Sequence, residues 1–194
     1  MISRTLRMAL LLLLAVATAA CEAPPSRRTF PELTYHHLPT YRLDVASIEI
    51  EEAYQSPRTE PNVEHLYPVT PATAARSWAE DRLEAVGIDG LARFIILDAS
   101  AVEQRRVAPP AGSGTTEPLD RYDMRIAVRI ELVKAGGGNQ AFVTADVTLQ
   151  QYVEPSTSMN DRERIWFDNV ETLMRSLNAE LEPRIATTFG PFLR

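Results

Sequence analysis

The chain has 194 residues, with 20 Lys and Arg against 26 Asp and Glu and a formal net charge of −6 at pH 7. That length is enough for one domain with a proper core, and the acidic balance excludes the basic footprint of a nucleic-acid binder and argues against a surface that spreads on anionic lipid. A single cysteine excludes an intrachain disulfide.

The first twenty residues form a three-part leader. Met1–Arg7 carries Arg4 and Arg7 and no acid, Met8–Val16 is apolar with leucine from Leu10 to Leu14, and Ala17–Ala20 is made of small residues. This is the order of a secretory signal peptide, and its apolar core is shorter than the ~20 residues that cross a bilayer. Residues Thr18-Ala19-Ala20-Cys21 resemble the lipobox of bacterial lipoproteins; Ala19 and Ala20 match it, and Thr18 stands where that family usually has leucine. The resemblance implies that residues 1–20 are a signal peptide cut just before Cys21. It also implies that Cys21 carries the acyl chains, and that the protein is held by them in a Gram-negative envelope. Glu22 at the next position fits sorting to the outer membrane in that family, with the domain on the periplasmic face. Several acyl chains, each contributing about 0.8 kcal/mol per buried methylene, hold a protein at a membrane durably.

Residues 21–40 read as a tether. Pro24, Pro25, Pro31 and Pro39 are spaced among polar residues with no apolar period, which favours extended conformations that reach at most about 60 Å. Residues 41–194 read as one domain. The first strand is expected at Tyr41–Glu52, with a bulge near Ala46-Ser47, because the apolar positions change parity from Leu43 and Val45 to Ile48 and Ile50. A long loop, Ala53–Val69, follows, with Val63, Leu66 and Tyr67 available to pin it. Thr70 caps a helix with Pro71 at its first position; Ala75, Trp78, Ala79, Leu83 and Val86 share one face, and Gly87 ends it. The next strand, Ala92–Val102, is continuously apolar at Phe94–Leu97 and so is expected to be covered on both sides. A strand–helix–strand connection makes these two strands parallel. Residues 103–120 read as a loop rich in Pro, Gly, Ser and Thr.

A long alternating strand then runs from Arg121 to Leu132, with Tyr122, Met124, Ile126, Val128, Ile130 and Leu132 on one face. Gly136–Asn139 turns the chain, and the return strand puts Ala141, Val143, Ala145, Val147, Leu149 and Val153 on the same face. Asn160, with Glu163 as its capping-box partner, starts a last helix whose stripe is Trp166, Val170, Leu173, Met174, Leu177, Leu181 and Ile185. Pro183 should kink or end it. The expected fold is therefore α+β: a two-layer sandwich of four mixed strands with two helices on one face, in the order β-α-β-β-β-α.

Chemistry is sparse. Gly112-Ser113-Gly114 lies in a loop with no helix after it, and the glycine run at Gly136 leads into a strand, which removes the helix N-terminus that a phosphate site uses. His36 and His37 have no third ligand at metal-site spacing, and His65 reads as a packing residue of the long loop. No catalytic set, metal site or cofactor is expected. One row stands out: Arg121, Arg125 and Arg129 are two steps apart on the strand face away from the core, a basic stripe that is a possible partner-binding face. Asp123 and Glu131 interrupt it.

The cysteine, the proline-rich tether and the order of elements resemble the small auxiliary lipoproteins of envelope transport, namely LptE-type lipopolysaccharide-assembly lipoproteins and the ABC-transport auxiliary lipoproteins. Ala75-Arg76-Ser77-Trp78-Ala79-Glu80 is similar to a helix motif of the latter group, with Ser77 as an insertion. The resemblance implies a non-enzymatic adaptor, anchored to the membrane by lipid, that binds an envelope protein or lipid. The alternatives are an envelope-polymer hydrolase, which would bring Asp98, Asp120 or Asp123 beside a histidine in a cleft, and a structural envelope lipoprotein.

Overall fold

The computed structural model describes residues 29–133 and 139–194. Cys21 and the glycine run of the predicted turn lie outside these residues. Seven strands and two helices are present among them: β1 (Tyr41–Leu43), β2 (Ser47–Glu52), α1 (Pro71–Arg82), β3 (Leu83–Ala85), β4 (Leu91–Asp98), β5 (Ala101–Val107), β6 (Leu119–Val133), β7 (Asn139–Val153) and α2 (Met159–Phe189). The class is α+β as expected, but the main sheet has five strands rather than four, and the order of elements differs.

Three local competitions account for the difference. The parity change in the first strand is not a bulge but a transfer between sheets. β1 pairs in parallel with β3 in a two-stranded ribbon, while β2 pairs in parallel with β4, Ile50 opposite Phe94. The helix that was expected to run to Gly87 stops at Arg82, because Leu83–Ala85 are taken by β1. Finally, the polar stretch after Val102 is a strand, β5, paired with β6. β4 and β5 run on from one another along the same edge of β6, with a register shift at Ile96–Asp98 near the end of β4. β7 pairs the other edge of β6 along its length, with Leu132 opposite Ala141, as a hairpin requires. The sheet is mixed, since only the β2–β4 pair is parallel.

Both helices lie on one face. Ala92, Phe94 and Ile96 of β4, the even-numbered apolar residues of β6 from Tyr122 to Leu132, and Val143, Ala145 and Val147 of β7 are buried beneath Trp78 of α1 and beneath Val170, Leu173, Leu177, Leu181 and Ile185 of α2. β4 is internal because strands flank it; its other face is not covered, and Leu97 is exposed. Thr70 Oγ1 caps α1 by accepting from Thr73 N–H at 3.1 Å. Ser158, not Asn160, caps α2, which runs through Pro183 to Phe189. In the long loop Val63 and Tyr67 are buried as pins while Leu66 is exposed.

The latter part of the expected tether is docked. Phe30 meets Phe167 of α2 with ring centroids 5.3 Å apart, Tyr35 is buried, and its N–H donates to Asp81 of α1 at 2.5 Å. Leu33 and Leu38 pack against the core. Residues 29–40 therefore belong with the helix layer.

Gly87 acts as a close-approach residue rather than a helix stop. A Cβ there would lie 2.5 Å from Asp44 Oδ1 and 2.6 Å from the Asp44 carbonyl carbon and from Val45 N. Gly87→Ala is expected to destabilise the fold by about 1–3 kcal/mol in urea titrations. Gly190→Ala, where nothing stands within 4 Å of the new methyl, should be nearly silent.

Candidate functional site

The side of the sheet opposite the helices has no layer over it among the described residues, and it carries the arginine row. Alternation along β6 puts Arg121, Arg125 and Arg129 on this face together, as expected. Neighbouring strands change their electrostatics. Arg125 bridges two strands: its guanidinium reaches Asp146 of β7 at 2.5 and 2.9 Å and Asp98 of β4 at 3.0 Å. Arg129 lies 2.6 Å from Glu131 and stacks over the exposed ring of Phe142, 4.3 Å from its centroid. Arg121 bonds Asp123 at 3.0 Å, and Gln150 donates to the same carboxylate at 2.7 Å. Arg93 of β4 sits among Glu49, Glu51 and Glu131 at 3.7–3.9 Å. Four arginines thus face six carboxylates. The stripe is a ladder of paired charge, not a basic row, because Asp123 and Glu131 of β6 itself, Asp98 of β4 and Asp146 of β7 pair its arginines. Hydrogen bonds from Arg125 hold the Asp146 carboxyl below its ordinary value against the opposing effect of burial. Exposed pairs of this kind contribute about 0.2–1 kcal/mol each, so the ladder fixes side chains more than it stabilises the fold.

The sequence reading missed two other polar clusters. At one end of the core, Arg162 of α2 donates to Asp120 at 2.8 Å, to Tyr122 Oη, and to the carbonyls of Pro155, Thr157 and Glu154 at 3.1–3.3 Å; it also approaches Glu103 at 3.4 Å. Tyr122 donates to Glu103 at 2.7 Å; burial first, and then that bond, push its phenol up to about 12. Burial raises Asp120, but the bonds from Arg162 and from Arg106 N–H outweigh it and leave the carboxyl below its usual value. The long loop encloses the second cluster, beside a cavity of about 580 Å³ lined by Tyr54, Ser56, Arg58, Glu64, His65 and Thr70 among others. Glu64 is 2% exposed. It accepts from Tyr54 Oη at 2.8 Å, from Ala101 N–H at 3.1 Å and from Asn62 Nδ2 at 3.4 Å. Burial works to raise its carboxyl, and hydrogen bonding, from the Ser56 hydroxyl first and then from Tyr54 and backbone N–H groups, holds it low. With its oxygens so occupied, Glu64 ties the loop to β5.

Asp98, Asp120 and Asp123 each meet an arginine: Arg125, Arg162 and Arg121. His36 lies 3.2 Å from Asp81, at the point where the N-terminal segment docks, and His65 lines the loop cavity. No group of three or more metal-ligating side chains converges among the described residues, and no described helix is long and apolar enough to cross a membrane.

No family model matches the chain, and no curated protein matches it. Among solved structures the chain is similar to rare lipoprotein B from Shewanella oneidensis, at 11% identity over 73% of this chain and 95% of that one, with a TM-score of 0.37. It is also similar to a minor lipoprotein from Acinetobacter baumannii, at 11% identity over 71% and 93%, with a TM-score of 0.34.

Proposed function

We propose that the protein is a lipid-anchored lipoprotein of the bacterial envelope, on the periplasmic face and in the outer membrane, acting as a non-enzymatic adaptor that holds an envelope partner on its open sheet face. The leader and Cys21 support the anchor. The observation that carries the adaptor reading is the placement of both helices and the docked N-terminal segment on one side of the sheet, leaving Arg129, Phe142 and the charge ladder uncovered on the other. A fixed array of paired charges around an exposed aromatic ring suits a partner protein of mixed charge, because complementary potentials select partners more than they add affinity.

The hydrolase reading would place its chemistry in the loop cavity, where Glu64 and His65 are neighbours. Three donors already occupy the Glu64 oxygens, which favours a structural role for that carboxylate.

The test is a photo-crosslinking scan in cells. A benzoylphenylalanine in place of Phe142 is expected to give an adduct with a different envelope protein, and the same probe at Ser176 on the helix side is not. With Cys21→Ala, labelling by a fatty-acid analogue and the Phe142 adduct should both disappear. Adducts only from Ser176, or fatty-acid label that survives the Cys21 change, would overturn the corresponding half of the proposal.

A further inference from the structure

We propose that two copies of this chain associate through the outer edge of β7, antiparallel about a twofold axis, to make one continuous sheet. β7 extends over fifteen residues, Asn139–Val153, and is paired with β6 along its length. On its other side no backbone group of the described residues bonds to it. The contacts there are with side chains: Arg184 donates to the Thr144 carbonyl, and Gln151 to the carbonyl of its own neighbour Tyr152. Alternate residues of an antiparallel strand turn both N–H and C=O to the same side, so apart from the carbonyls held by Arg184 and Gln151 an open row of donors and acceptors runs along this edge.

Such edges are templates for pairing, and proteins blunt them with charge, proline or a covering segment. The other edges of this sheet are blunted. The outer side of β5 is covered by the loop, where Val63 N–H bonds Ala101 and Glu103 N–H bonds Pro61, each at 2.8 Å. The edge of β2 carries Glu49, Glu51 and Glu52. β7 itself has no proline, lysine or arginine, its one ionised side chain, Asp146, is already bound by Arg125, and the Arg184 guanidinium on its outer side is paired with Glu180. Thr144, Thr148 and Gln150 alternate along it, residues that pair well with their own kind across strands.

Charge selects the mode. Two β2 edges brought together would set glutamates against glutamates, and β7 against the β2 of another copy would give an open chain of subunits rather than a closed pair. Two β7 edges set threonine, glutamine and the Arg125-bound Asp146 against one another and close on a twofold axis. That axis stands perpendicular to the sheet, since antiparallel neighbours in one sheet keep their faces. Both helix layers, with both docked N-terminal segments, then lie on one side, and both open faces join on the other. Pairing through β7 does not depend on the adaptor reading, whose own test identifies a different protein by the mass of its adduct.

The test uses the full chain extracted in detergent. Native mass spectrometry is expected to show a dimer for the wild type. Thr144→Lys/Thr148→Lys places charge along the edge and is expected to lower the dimer fraction at least tenfold, with an unchanged circular dichroism melt. Single cysteines at Thr144, Thr148 and Gln150, oxidised in the membrane in a Cys21-lipidated background, are expected to couple copies most strongly at the one position nearest the axis, while a Ser176→Cys control on α2 does not couple. A monomeric wild type, a dimer that survives both lysines, coupling no stronger at the edge than at Ser176, or edge cysteines that couple to another protein instead would each overturn the proposal.

Discussion

Arg162→Met is expected to cost about 3–5 kcal/mol of stability at pH 7, because it leaves Asp120 buried without its guanidinium partner, while Glu103 keeps Arg105 at 2.9 Å. The loss extends beyond the ion pair. Arg162 also gathers the carbonyls of Glu154, Pro155 and Thr157, the segment that joins β7 to α2. Arg162→Lys retains the charge but lacks the planar fork that reaches these acceptors, so it should fall between wild type and Arg162→Met. The pH dependence has a definite sign. In the wild type the Asp120 carboxyl is held below its unfolded value, so its contribution is present above about pH 4 and fades as pH falls through the folded value. Without Arg162 the Asp120 carboxyl loses the bond that opposes its burial, and protonation relieves it. The gap between wild type and variant should therefore narrow in acid. Urea titrations at a series of pH values measure it; a variant within about 1 kcal/mol of wild type at neutral pH would mean the cluster behaves as an exposed pair.

Trp78→Ala should cost a similar amount, about 3–5 kcal/mol. Trp78 is fully buried where α1, α2, β1 and β4 meet: its ring lies 5.7 Å from Phe94 and 6.5 Å from Tyr41, and Nε1 donates to Asn178 at 3.0 Å. Arg82 also donates to that Asn178 oxygen, at 2.7 Å, so the acceptor is not stranded when Trp78 is lost. The cost is then mostly the cavity, and Trp78→Phe, which fills most of it, should lose only about 1–2 kcal/mol. Equal losses in the two variants, measured by denaturant unfolding, would assign the effect to the hydrogen bond instead.

Long periodic segments were readable from the sequence. The alternation from Tyr122 to Leu132 and its return from Ala141 to Val153 become β6 and β7, and the stripe from Trp166 to Ile185 becomes α2. Thr70 and Pro71 start α1 where expected. The failures share a cause: partners distant in the chain decided the local state. Leu83 fits a helical stripe as well as a strand, and only Tyr41–Leu43 beside it makes it a strand. Glu103–Val107 has no apolar period, and its extended form comes from β6 on one side and Pro61–Val63 on the other. The arginine row and two of the acids that neutralise it, Asp123 and Glu131, were visible, but Asp98 and Asp146, which hold Arg125, come from other strands. Two buried arginines did leave a signal. Arg82 stands four residues after Trp78, and Arg162 four before Trp166, both on the apolar stripe of their helix, where a charge needs partners. Glu64 left none, since it sits in a loop without period.

The docked segment at Thr29–Thr40 bears on how far the domain stands from a bilayer. On the proposed anchoring, only residues 22–28 separate the lipidated Cys21 from the first docked residue, and seven residues span at most about 25 Å. The protein is then a short-leashed body, its chain entering on the helix side beside Phe167. The open face lies on the other side of the sheet from that entry. Its working volume is a thin shell over the membrane, so a partner must come within that shell, or span the remaining gap itself, to be held.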